Sequence, residues 1–163
     1  MDSLIKFCPI MNGDEFAAAE LIYRTFRNEI APSASREGVS NFYEYIQPDS
    51  ILDRLESNYF MKIAVLIDKV LGVIEIRDCS HISMLVVDDA CRGRGIAREL
   101  VRTAVIFCRK KDPGLQAITA NSLPGSVPVY ERLGFIKTGP EQEKNGLRLV
   151  PMSLDISNLK SQI

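Results

Sequence analysis

Apolar residues change their spacing along the chain, and each change marks an element. Residues 4–10 read as a short strand. Asn12, Gly13 and Asp14 then offer helix-capping chemistry. Phe16, Ala19, Ile22, Phe26 and Ile30 recur at helical spacing, which predicts a first helix over residues 14–29. Residues 31–38 read as a loop of small side chains, and residues 41–46 are rich in aromatics. Pro48–Leu55 looks like a short helix with proline at its start.

The period then shortens. Residues 60–67 and 70–77 are β-rich runs joined by a tight turn at Asp68 and Lys69. His81–Val87 is a third run, and proximity makes the three an antiparallel meander. A glycine-rich turn of Arg92, Gly93, Arg94 and Gly95 follows. Beyond it Ile96, Leu100, Ala104 and Cys108 lie on one helical stripe, with Ala97, Val101 and Val105 beside it. Arg94, Arg98, Glu99 and Arg102 take the wet face, and Asp112, Pro113 and Gly114 end the helix. Residues 116–120 read as a strand, and Pro124 opens a helix that Gly134 closes. Residues 135–138 and 147–154 are the last strands, with Asn145 and Gly146 in the polar loop between them. Pro151 weakens the final strand or makes a bulge. This order predicts a sheet with helices on both faces.

Length and charge narrow the function. A chain of 163 residues is one domain, spanning 1–163. Its 20 basic and 21 acidic residues nearly cancel, whereas a protein built to grip nucleic acid is normally basic. No apolar run is long enough to span a membrane. No signal peptide is visible, so a cytoplasmic location is expected by default. Cys8, Cys79, Cys91 and Cys108 form no CxxC pair, and His81 is the single histidine, so no metal site is expected. The cysteines read as free thiols of a reducing compartment. A catalytic thiol would need a base partner, and the single histidine disfavours that reading.

The glycine-rich turn carries the first candidate chemistry. Gly93 and Gly95 stand after a strand and before a helix, where backbone amides are unpaired and the helix dipole is positive. Glycine lets a bulky anion approach such amides closely. That makes a phosphate or pyrophosphate cradle, with Arg92, Arg94 and Arg98 around it. A plain strand-to-helix turn with solvated arginines is the equal alternative. Arg98 stands where the third glycine of a dinucleotide fingerprint would be, and no Gly-Lys-Ser/Thr ending follows. Nicotinamide and ATP sites are therefore disfavoured.

Arg92-x-x-Gly95-x-Ala97 after a strand resembles the R/Q-x-x-G-x-G/A signature of the GCN5-related N-acetyltransferases. Tyr130, Glu131, Arg132, Leu133, Gly134 and Phe135 resemble the family's later Y-E-x-L-G-F segment, and Asn121 precedes it at a strand end. The ordered set is more specific than either motif alone. The resemblance implies the GNAT fold: a mixed, mostly antiparallel, twisted sheet of about seven strands between helical layers. It also implies an acetyl-coenzyme A co-substrate, no metal, and direct transfer of an acetyl group to a primary amine of a small molecule or peptide.

The same resemblance assigns expected roles. Arg92, Gly93, Arg94, Gly95, Ile96 and Ala97 would hold the pyrophosphate. Leu85, Val86 and Val87 would pair with the pantetheine arm through main-chain atoms, with Asn121 and Ser126 nearby. Tyr130 would protonate the leaving thiolate; a packed helix tyrosine is the plain alternative. His81 is the candidate base, Glu75 the reserve, and water the third option. Glu29, Tyr43 and Glu75 fall where the family shapes its acceptor pocket, although each also suits ordinary packing or solvent. A homodimer is a family expectation. An acyl-coenzyme A sensor without turnover, or an enzyme acting on protein or aminoacyl-tRNA, are the alternatives.

Overall fold

An antiparallel ladder forms the first half of the sheet. The computed structural model describes residues 4–158. In it β1 (Lys6–Pro9), β2 (Tyr59–Leu66), β3 (Lys69–Arg77) and β4 (His81–Val87) lie side by side, each antiparallel to the next. β5 (Ala117–Ser122) joins β4 in parallel, reached through the long helix α4 (Ile96–Lys111) as a parallel crossover requires. β8 (Leu147–Asp155) then pairs with β5, and β6 (Ile136–Lys137) and β7 (Gln142–Lys144) both pair with β8. The remaining helices are α1 (Glu15–Thr25), α2 (Arg36–Tyr45), α3 (Pro48–Leu55) and α5 (Val127–Arg132).

Side chains of β3 supply a core on each face, with the alternation shifted once where a bulge at Leu71 breaks the register with β2. Leu71, Ile74 and Ile76 pack with Leu100, Ala104 and Cys108 of α4. Val70 and Val73 pack on the other face with Ala18, Leu21 and Ile22 of α1 and Ile51 of α3. Helices on both faces follow, as the element order predicts. No helix among the described residues is long and apolar enough to cross a membrane.

The structure departs from the sequence reading in four places. The sheet has eight strands. The added one, β7, is exposed and polar, so no apolar alternation marks it. The stretch read as a loop and an aromatic run is helix α2, capped by the Ser35 Oγ, which accepts from the Gly38 amide at 3.0 Å. Phe42 and Tyr45 pack partly buried against the core from α2, and Gly38 is its one buried residue. The first helix changes character at Phe26, continuing as a π-helical turn over Phe26–Ile30 and a 3-10 turn over Ala31–Ser33. β5 runs on to Ser122, past its expected end, and carries Asn121 with it.

Pro151 sits inside an unbroken β8. A strand residue points its N and O to the same side, and the Pro151 carbonyl accepts from Thr138 at 2.9 Å. The missing donor therefore faces the side where β6 has already ended at Lys137. The expected domain span of 1–163 includes residues 1–3 and 159–163, which lie outside the described residues.

Candidate functional site

The parallel pair at the middle of the sheet is short, and its shortness makes a cleft. β4 and β5 are in register only at His81 with Thr119 and Ile82 with Ala120. Beyond that point β4 stays on β3 as far as Val87, while β5 stays on β8 as far as Ser122. The strands part, and Leu85, Val86 and Val87 face a cleft of about 1020 Å³.

The glycine turn opens into the same cleft. Asp88 is buried, and its Oδ1 accepts from the Ala90 amide at 3.0 Å, which starts a 3-10 turn over Asp89–Cys91. Gly93 (φ +81°) and Gly95 (φ +79°) then take left-handed conformations that side chains resist. A Cβ on either would meet nothing within 4 Å, so the space above both is open. The first bond of α4 runs from the Glu99 amide to the Gly95 carbonyl at 3.0 Å. The amides of Ile96, Ala97 and Arg98 are left without helical partners, at the positive end of a helix of 16 residues.

Arg92 does not stand free beside them. Its Nη2 lies 2.5 Å from the Glu29 Oε1 and 2.8 Å from the Asp89 Oδ1. Glu29 belongs to the π-helical turn, which brings the end of the first helix to the cleft together with Thr25 and Ile30.

Tyr130 lines the opposite wall from α5. Its ring packs edge-on against Phe135, with centroids 5.2 Å apart. Burial alone raises the phenol's pKa above the ordinary tyrosine value, so the group holds its proton throughout the working pH range. Ser126 ends the preceding 3-10 turn, Pro124–Ser126, and also lines the cleft.

The structure therefore brings together Leu85, Val86, Val87, Arg92, Gly93, Gly95, Ile96, Ala97, Ser126, Tyr130 and Glu29. Five expected site residues stand elsewhere. His81 is at the opposite end of β4, paired with Arg77 and Thr119, where its Nδ1 lies 2.8 Å from the Thr119 Oγ1. Its pKa is lowered by burial first, then by Arg77 and Lys144, with Asp78 opposing. Asn121 is held in the β5–β8 ladder opposite Pro151. Arg94 is exposed and off the wall. Tyr43 sits edge-on to Tyr23, with centroids 5.8 Å apart, in a separate surface depression beside Arg36.

Glu75 is fully buried beneath the sheet rather than at the cleft. Its Oε1 accepts from the Tyr45 hydroxyl and, at 2.7 Å, from the Ser83 hydroxyl. Its Oε2 accepts from the Arg54 Nε at 3.0 Å, while the Arg54 Nη2 lies 2.9 Å away without hydrogen-bond alignment. The guanidinium stacks 3.6 Å from the Tyr45 ring centre. A carboxylate so fully buried, with three hydrogen bonds inside the protein, is out of reach of a substrate in the cleft.

Sequence reasoning missed other parts of the wall. Ser33 and Ala34 arrive through turns that apolar spacing does not reveal, and Cys91 sits buried in the 3-10 turn before the glycines. Arg132 was in view inside the motif quoted above, two residues after Tyr130. Arg148 reaches the cleft from β8, paired with Glu141 at 3.6 Å. Among the described residues, no group of three or more His, Cys, Asp or Glu side chains could hold a metal ion.

Comparison with known proteins agrees with this architecture. Residues 30–156 match a family model described as an acetyltransferase (GNAT) domain. No curated protein matches the sequence. A GCN5-related N-acetyltransferase structure from Rhodopseudomonas palustris superposes with a TM-score of 0.77 at 18% identity, covering 94% of this chain and 96% of that one. The PaiA N-acetyltransferase of Thermoplasma acidophilum, solved with coenzyme A, gives 0.74 at 15% identity, covering 93% and 98%. The spermidine N-acetyltransferase of Vibrio cholerae, solved with coenzyme A and spermine, gives 0.65 at 16% identity, covering 94% and 96%.

Proposed function

The chain belongs to the GNAT family of acetyltransferases, and on that premise we propose that it transfers the acetyl group of acetyl-coenzyme A to a primary amine of a small molecule or peptide. One observation carries this reading. The parted strands and the glycine turn open into one cleft, so an unpartnered strand edge and a helix N-terminus face the same ligand.

That pairing suits an extended, amide-bearing arm that ends in a pyrophosphate. The edge at Leu85, Val86 and Val87 can receive such an arm as an added strand. The amides around Gly93, Gly95 and Ile96 receive the anion, with room above both glycines. Arg98 and Arg132 add positive charge on the wall. When bound, acetyl-coenzyme A supplies an activated acyl group as a thioester.

The chain's own residues orient that group and manage protons. An amide on the freed edge of β4 polarises the thioester carbonyl. Tyr130 keeps a proton on its phenol oxygen and gives it to the sulfur that leaves. His81 and Glu75 are off the wall, so in this reading the acceptor's proton passes to water. The acceptor enters between the end of the first helix, at Thr25, Glu29 and Ile30, and the β7–β8 hairpin, at Leu147 and Arg148.

Calorimetric titration with acetyl-coenzyme A, beside an Arg92→Ala, Gly95→Glu double variant, tests the reading. Micromolar binding that disappears in the variant is expected, followed by thiol release across a panel of primary amines. Tight binding with no thiol release on any amine would favour a sensor of the same fold. No binding to the wild-type protein would sink the assignment.

A further inference from the structure

We propose that Glu29 is the anchor for the acceptor's ammonium group, and that Arg92 withholds it until the coenzyme binds. The inference rests on the reading of the cleft given above and adds to it a residue and an order of events.

The argument starts from charge. Among the described residues, the carboxylates lining the cleft are Glu29 and Glu141. Each already has an arginine: Glu29 lies 2.5 Å from Arg92, and Glu141 lies 3.6 Å from Arg148. So paired, neither carboxylate is free to meet an ammonium ion.

The Arg92 pair is the one that coenzyme binding must disturb. A single Arg92 nitrogen serves both Glu29 and Asp89, so two negative charges share one positive charge. A pyrophosphate settling on Gly93 and Gly95 brings further negative charge to that spot. Like charges at such range repel, and the cheapest relief is for one carboxylate to leave. Asp89 is three residues from Arg92 on the same short turn and stays by connectivity. Glu29 comes from a different element, so it can swing away without disturbing the turn that holds Arg92. The guanidinium then turns its fork of donors to phosphate oxygens, a geometry it fits well.

Glu29 released from Arg92 is still in the cleft, with Thr25 and Ile30 beside it at the acceptor end. There it meets an incoming ammonium ion. Coenzyme and acceptor thus strengthen each other's binding through one exchangeable ion pair, and the coupling is reciprocal.

Two titrations test this. In the first, coenzyme A alone is titrated into the wild-type protein, Glu29→Gln, Arg92→Gln and the double variant. Glu29→Gln is expected to bind coenzyme A about two- to fivefold tighter, the range for an exposed pair. The gain should vanish in the Arg92→Gln background. Unchanged or weaker binding by Glu29→Gln overturns the proposal, and so does an equal gain without Arg92. In the second, propylammonium is titrated by NMR with and without saturating coenzyme A. Stronger binding with coenzyme A, lost in Glu29→Gln, is expected. Equal binding in both conditions overturns the coupling while leaving the coenzyme site intact. Failure of wild-type protein to bind coenzyme A overturns the cleft's assignment, and this inference with it.

Discussion

Gly38 and Gly146 meet backbone to backbone. A Cβ on Gly38 would stand 2.4 Å from the Gly146 carbonyl oxygen, and a Cβ on Gly146 would stand 2.4 Å from the Gly38 nitrogen. The Ser35 amide and hydroxyl both donate to that same carbonyl at 3.4 Å. The first turn of α2 is thereby pinned to the tip of the β7–β8 hairpin. Ser33 and Ala34 lie just before α2, and Leu147 lies just after Gly146, so this contact sets the width of the cleft's acceptor end.

Gly38→Ala tests that relationship by sterics alone, because no positive φ is involved at this position. The added methyl must push the hairpin off α2, at a cost of about 1–3 kcal/mol. Thermal unfolding should show the loss. Acceptor KM should rise while coenzyme A affinity, set at the other end of the cleft, holds. An unchanged melting temperature with an unchanged acceptor KM would mean that the hairpin does not depend on this contact.

The buried Arg54–Glu75 pair gives a second prediction. Arg54 also donates from Nη1 to the Tyr45 carbonyl at 2.6 Å, and its side chain is only 12% exposed. Burial and the neighbouring carboxylate raise the Tyr45 pKa, keeping that hydroxyl a donor. Glu75→Leu leaves a buried cation alone, and such a break costs about 3–5 kcal/mol. Adding Arg54→Met should recover most of the loss, because the uncompensated charge goes too. Urea denaturation of the single and double variants reads both numbers. A single variant as stable as wild type would show that Arg54 finds water instead.

The contrast between Gly95 and Glu75 shows what was legible beforehand. The turn at Gly95 could be read because it is local: a strand, a turn and a helix start adjacent in sequence. The helix that carries Tyr130 to the cleft wall was legible for the same reason, inside a contiguous motif. Glu75 was not, because its meaning depends on Arg54 and Tyr45, 21 and 30 residues away. The alternation of β3 gives the face of Glu75 but not what that face meets. His81 was misplaced by its register: being on the same strand as Val87 puts it at the wrong end, with the cleft opening only after Ile82. The Gly38–Gly146 contact spans more than a hundred residues and leaves no local pattern at all.

His81 predicts a pH dependence of stability. Its folded pKa is lowered by burial, Arg77 and Lys144. Below the unfolded histidine value of 6.5, the unfolded chain takes up a proton that the folded chain still resists. Stability from this group is therefore intact above that value and declines as pH falls through it. Melting temperatures at about pH 7.5 and about pH 5.5 should differ more in the wild type than in His81→Gln. Because His81 is off the cleft wall, the variant should keep the wild-type pH–rate profile. Equal temperature drops in both proteins would assign the acid sensitivity to other groups.

Tyr130→Phe separates proton donation from packing. The ring contact with Phe135 survives the change, and burial is the sole source of the phenol's raised pKa. Loss of the hydroxyl should therefore leave the melting temperature and coenzyme A affinity close to wild type. The rate should fall by about a hundredfold, the lower end for removing a positioned general acid. A leaving thiol with a lower pKa needs that proton less, so an activated thioester of such a thiol should recover part of the loss. Because the phenol titrates above the ordinary tyrosine range, the wild-type rate should show no alkaline fall near pH 10 from this group. Steady-state rates across pH, with acetyl-coenzyme A saturating, measure both effects. A wild-type kcat in Tyr130→Phe would assign the leaving group's proton to water and reduce Tyr130 to a wall of the cleft.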